Sequence, residues 1–122
     1  MKAILIDPVK KEVSLVDHEG SLESLYKLLQ CTTITSVVRF DDNDFMYADD
    51  ESWLNVSPGD ELAGFHMKGW SFAVLGRALI VGTDFAGNDH EIFNDNPKAW
   101  GKKIVWRNHE EMTWQGERMG ML

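Results

Sequence analysis

The chain has 122 residues, 43% of them hydrophobic and 26% charged, which describes one domain large enough to bury a core without disulfides. A formal net charge of -8 disfavours generic binding to nucleic acid or to an anionic membrane surface, since both depend on cationic neutralisation of phosphates. Cys31 is the only cysteine, so an intramolecular disulfide and a cysteine-based zinc site are both excluded.

Ala3 to Ile6 is an uninterrupted apolar run, as expected of a strand covered on both faces, and Asp7-Pro8 ends it. Val13 to Val16 alternates and predicts a second strand, joined to the first as a hairpin across Val9-Lys10-Lys11. Ser21 is an N-cap, Glu23 suits the first turn, and Leu22, Leu25, Tyr26, Leu28 and Leu29 form one apolar stripe. These predict a helix over 21–31, ended by Thr32-Thr33. Thr35 to Phe40 and Phe45 to Ala48 predict a second hairpin around the acidic turn Asp41-Asp42-Asn43-Asp44.

Residues 49–69 read as a long loop, broken at Ser57-Pro58-Gly59-Asp60, Gly64 and Gly69, with one short strand near Phe65. Trp70 to Leu75 and Ala78 to Val81 predict a third hairpin joined at Gly76-Arg77. A turn over Thr83 to Asn88 leads to a short strand, His90 to Phe93. Pro97 opens a helical turn through Trp100, and Lys103 to Arg107 is the last strand. Residues 109–122 read as a loosely ordered tail or an interface segment. The expected fold class is α+β: antiparallel hairpins forming a curved sheet or open barrel, with the one helix packed on it. The short apolar start lacks a signal peptide's core and cleavage site, and no run is long enough for a membrane span, so a soluble cytoplasmic protein is expected.

Ile4-Leu5-Ile6-Asp7-Pro8, the 20–31 helix with Leu25-Tyr26, and Met46-Tyr47 before Asp49-Asp50-Glu51 resemble a known family. Gly76 to Asp84 with Gly87 adds to the likeness. The chain is similar over about residues 1–92 to a family of small proteins of unknown function found widely in phages, prophages and plasmids. The resemblance implies a mobile-element accessory protein in a bacterial cytoplasm. It implies no reaction, so it supplies no catalytic residue.

The carboxylates at 41–61 do not make a calcium loop, because the alternate ligand positions are filled by residues such as Met46 and Trp53. His109-Glu110-Glu111 starts like a zinc-protease helix, but Thr113 stands where the second histidine belongs. His66, His90 and His109 remain candidates for convergence in space. Ser71 belongs to a strand run rather than a nucleophile elbow, and no phosphate-binding glycine loop is present.

Five tryptophans exceed what one small core absorbs comfortably, and Trp is enriched at interfaces. Trp100 and Trp106 lie among Lys98, Lys102, Lys103 and Arg107. That pattern suits either stacking of an anionic ligand or an edge strand guarded by lysines. The leading expectation is a non-enzymatic protein that binds a host protein through an acidic surface and exposed aromatics, with self-association into an oligomer. The residues carrying it are Asp49, Asp50, Glu51 and Trp53, with Trp100, Lys102, Lys103, Trp106 and Arg107. Two alternatives stand beside it: sequestration of a nucleotide or nucleotide-derived signal on the basic Trp segment, and a small metal-assisted hydrolase using Asp84, Asp89 and His90. No cofactor, no metal, no direct nucleic-acid contact and no membrane contact are expected.

Overall fold

A computed structural model describes residues 1–84 and 88–122. Its nine strands and three helices, counted among the described residues, are α+β. The first sheet takes β1 (Lys2–Asp7), β2 (Glu12–Asp17), β3 (Thr35–Arg39), β4 (Asp44–Ala48) and β7 (Ala78–Thr83) in the order β2-β1-β7-β4-β3. Strand β8 (Asp89–His90) also pairs with β7. The second sheet has three strands, ordered β6 (Val74–Leu75), β5 (Gly64–Met67), β9 (Ile104–Arg107). All pairings are antiparallel. The sheets are separate and do not close into a barrel.

Period-two alternation decides which side chain meets which layer. Ala3, Leu79 and Val81 point to one face of the first sheet, where helix α1 (Leu22–Leu29) seats Leu25 and Leu29. Ile4, Ile6, Met46, Ala78 and Ile80 point to the other face and meet Phe65, Met67 and Ile104 of the second sheet. This is sheet-on-sheet packing, and with α1 on the opposite face it explains why Ala3–Ile6 and Ala78–Val81 are apolar without a break. The far side of the second sheet carries Leu75, which packs with Leu62, Ala73 and Met112 of α3 (His109–Arg118). The layers are therefore α1, first sheet, second sheet, α3.

The hairpins β1–β2 and β3–β4 form as the sequence predicts. Helix α1 starts at the expected cap, Ser21, but ends earlier, at Gln30 in the left-handed region (φ 56°). Two expectations need correction. The described residues form three helices rather than one: α2 (Pro97–Gly101) and α3 join α1. The Gly76-Arg77 link is not a hairpin, because β6 pairs with β5 whereas β7 has both edges occupied by β1 and β4. Gly76 adopts φ +85° and turns the chain from one sheet into the other. Arg77 fixes that crossing by donating to the Leu28 carbonyl (3.0 Å) and the Asp7 carboxylate (3.3 Å). The strand expected at His90–Phe93 is instead Asp89–His90, and Trp70–Ala73 is not strand. Part of the turn expected over Thr83–Asn88, and Gly87 with it, lies outside the described residues.

Candidate binding cleft

A surface cleft is built where the β3–β4 turn meets the end of β7. Asn43 takes the left-handed turn position (φ 67°), which its short polar side chain tolerates. Its carbonyl receives the Thr83 backbone N–H (3.3 Å) and hydroxyl (2.7 Å), locking the turn onto β7. Across from it runs the segment after β8. Gly82 lets that segment come close, since a Cβ there would sit 2.3 Å from the Glu91 carbonyl oxygen. Asp44 then ties the segment down: its carboxylate accepts the backbone N–H groups of Phe93 (2.9 Å) and Asn94 (3.2 Å).

Asp44 is only 1% exposed, and burial pushes its carboxyl above the usual range, opposed by those two N–H groups. Between the turn and the segment lies a cleft of about 660 Å³. Asp41, Asp42, Asp84 and Glu91 rim it, with His90 and Phe93. Ile92 is buried, while its neighbour Phe93 is 76% exposed. A large aromatic side chain held out into water beside several carboxylates is the most unusual feature of this surface. The cleft can take a cationic group against the carboxylates and an apolar one against the ring.

Asp84 and His90, singled out in the sequence for a hydrolase, line this cleft, whereas the residues singled out for binding lie elsewhere. Asp49 accepts the Thr33 hydroxyl and the Glu51 backbone N–H (both 2.9 Å), so it shapes its own loop. It lines a second cleft of about 360 Å³ with Asp60, Glu61 and Arg77. Asp50 is exposed and Glu51 is half-buried. Trp53 is half-buried beside Gly116 and Leu122. Trp100 is 2% exposed; it donates Nε1–H to the Asn94 carbonyl (2.7 Å) and packs edge-on to Phe40. The Lys103 ammonium lies 4.9 Å over its ring, so Trp100 presents no free face for stacking a ligand. Lys102 is exposed, Trp106 is half-buried against the core, and Arg107 is paired with Glu111 (2.8 Å). The structure thus brings Trp100 and Lys103 together and keeps the Asp49 loop in a different cleft. Phe93, Asp41, Asp42 and Glu91 were not among the residues singled out. The readable signal for Phe93 was an aromatic set immediately before the polar run Asn94-Asp95-Asn96.

The histidines do not converge. His109 accepts the Leu62 N–H at Nδ1 (2.8 Å), and His66 and His90 each lie against a backbone carbonyl. Among the described residues no group of three or more His, Cys, Asp or Glu side chains is placed to hold a metal ion. Asp84 accepts from the backbone and side chain of Asn88. Burial, with the Asp49 charge, raises the Cys31 thiol, so it stays protonated and poorly nucleophilic.

His18 is 4% exposed, accepts the Gly20 N–H at Nδ1 (3.2 Å), and leaves Nε2 without a partner. Burial, with the chain's amino terminus nearby, lowers its pKa below 6.5. The folded form therefore resists a proton that the unfolded form accepts, and the associated stability, full above 6.5, is lost as the pH falls from there through the folded value. Urea denaturation across that range is expected to show this fall in the native protein and not in His18→Asn, whose side-chain oxygen still accepts from Gly20. Equal pH profiles for the two would exclude it.

In comparison with known proteins, residues 1–102 match the family described as Domain of unknown function (DUF3846). No curated protein and no solved structure matches. No helix among the described residues is long and apolar enough to cross a membrane.

Proposed function

We propose that this chain, which belongs to the DUF3846 family over residues 1–102, is a non-enzymatic binding protein that takes a basic surface of a partner protein into the cleft at Phe93. One observation carries the reading: Phe93, 76% exposed, stands among the carboxylates Asp41, Asp42, Asp84 and Glu91. Aromatic side chains seated in a polar rim are the usual energetic centre of an interface, and surrounding charges of one sign steer and select the partner. The resemblance to proteins of phages and plasmids supports a setting in a bacterial cytoplasm, with a host protein as the partner.

The reading is tested by calorimetry with a lysine- and arginine-rich peptide containing leucine. Binding is expected to weaken with salt and to fall about tenfold or more in Phe93→Ser, the range of an interface hot spot. Because Phe93 is exposed, that variant should keep the thermal midpoint of the native protein. Undiminished binding by Phe93→Ser removes the proposal.

A further inference from the structure

The cleft has a counterpart of opposite sign beside it. Lys68, Lys98, Lys102 and Lys103 are all exposed, and none joins an ion pair among the described residues. Lys68 and Lys103 are neighbours, since the Lys68 N–H donates to the Lys103 carbonyl (2.9 Å). Unpaired lysines gathered in one place are notable in a chain of net charge -8.

Trp100 separates this patch from the cleft. On one side it carries the Lys103 ammonium at 4.9 Å. It also touches Phe40, which precedes Asp41, and bonds the carbonyl of Asn94, which follows Phe93. Lys103 and the backbone beside Phe93 therefore meet the same indole. Phe93 gives the acidic patch an exposed aromatic.

We infer that these two patches join two copies of this chain into a two-fold dimer, each cleft receiving the lysine patch of the other copy. The inference rests on the reading of the cleft as a site for a basic surface, and it names a second copy as an occupant. A partner that satisfies both signs at this short spacing must itself carry the two patches side by side, and a second copy does so by construction. A half-turn sets acid against base at both ends, as an isologous interface requires. It also places Phe93 where the twin covers it, as an aromatic anchor is.

Salt screens both the local attraction and the repulsion between two acidic chains, so charge reversal is the decisive experiment. Sedimentation velocity should give the native protein a mass of twice 13.9 kDa at high protein concentration. Asp41→Lys/Asp42→Lys alone and Lys102→Glu/Lys103→Glu alone should each sediment as monomers, because each meets its own sign. An equal mixture of the two should recover the dimer, because every contact is again acid to base. A monomeric native protein, a dimer that survives in either variant alone, or a mixture that stays monomeric overturns the inference. The Lys102→Glu/Lys103→Glu variant keeps the acidic cleft, so its binding of the basic peptide reports on the cleft alone. Peptide binding without dimerisation overturns the dimer and leaves the proposed function standing; dimerisation without peptide binding supports the dimer and counts against that function.

Discussion

Asp44→Ala is expected to destabilise the protein by about 2–4 kcal/mol, because it strands the two backbone donors that Asp44 satisfies, each worth about 1–3 kcal/mol when left unpaired. Those donors, Phe93 and Asn94, lie 49 and 50 residues from Asp44, in a stretch whose ladder pairing to the first sheet is the two-residue β8. The gain from removing a charge that burial already disfavours offsets part of the loss. In thermal unfolding this is a fall of roughly 10 °C for a domain of this size.

Asp44→Asn keeps one acceptor and turns an amide toward the other N–H, so it should fall between the two. The raised folded-state pKa makes charged Asp44 a cost at neutral pH. That cost is relieved as the pH drops through the raised value toward 3.8, so the gap between the native protein and Asp44→Asn should widen on acidification. Basic-peptide binding should weaken in Asp44→Ala even where it is still folded, because Phe93 is no longer held at the rim. A native-like urea midpoint together with native peptide affinity would show that Asp44 does not hold the cleft.

What the sequence disclosed was local. Helix α1 and the hairpins β1–β2 and β3–β4 are written in cap residues, three- and four-residue spacing and turn chemistry over short stretches. The second sheet joins Gly64 to Arg107 and Phe65 to Trp106, pairings with no local signature, so its existence was not legible. That sheet also bears on where the tryptophans lie. A sandwich with a helix on either side has more interior than a single curved sheet, and Trp100 is absorbed there while Trp53, Trp70 and Trp106 are half-buried. Trp114, 59% exposed beneath the Arg118 guanidinium, is the exception.

Asp44 looked like one more carboxylate of the turn Asp41-Asp42-Asn43-Asp44. Its partners are distant in sequence, so nothing nearby marks it as the buried tie and its neighbours as the open rim. Helix α3 was legible in one respect: Asn108 and Glu111 form a reciprocal capping box, with Asn108 Oδ1 accepting the Glu111 N–H (2.9 Å) and Glu111 Oε1 accepting the Asn108 N–H (3.1 Å). The irregular spacing of Met112, Trp114 and Met119 hid it.

The largest effect expected is that of removing residues 103–122, which lie beyond the family match at 1–102 but complete the second sheet. Strand β9 pairs with all four residues of β5, and Ile104 is buried in the main core. Met112 is fully buried over Gly64, where a Cβ would come within 2.6 Å of its sulfur, so glycine at 64 and methionine at 112 fit as a pair. Gln115 grips Ala73 by both its N–H and its carbonyl (2.9 Å each), holding the chain that leads into β6. Without these, Phe65 and Met67 would lie at a bare edge of a two-stranded ribbon, which is marginal in water. The 1–102 piece is therefore expected to show no cooperative unfolding transition in urea. Met112→Ala in the full chain should lose about 2–5 kcal/mol, the range for emptying a buried large side chain. Cooperative unfolding of the 1–102 piece at the midpoint of the full chain would mean that β9 and α3 decorate the domain rather than build it.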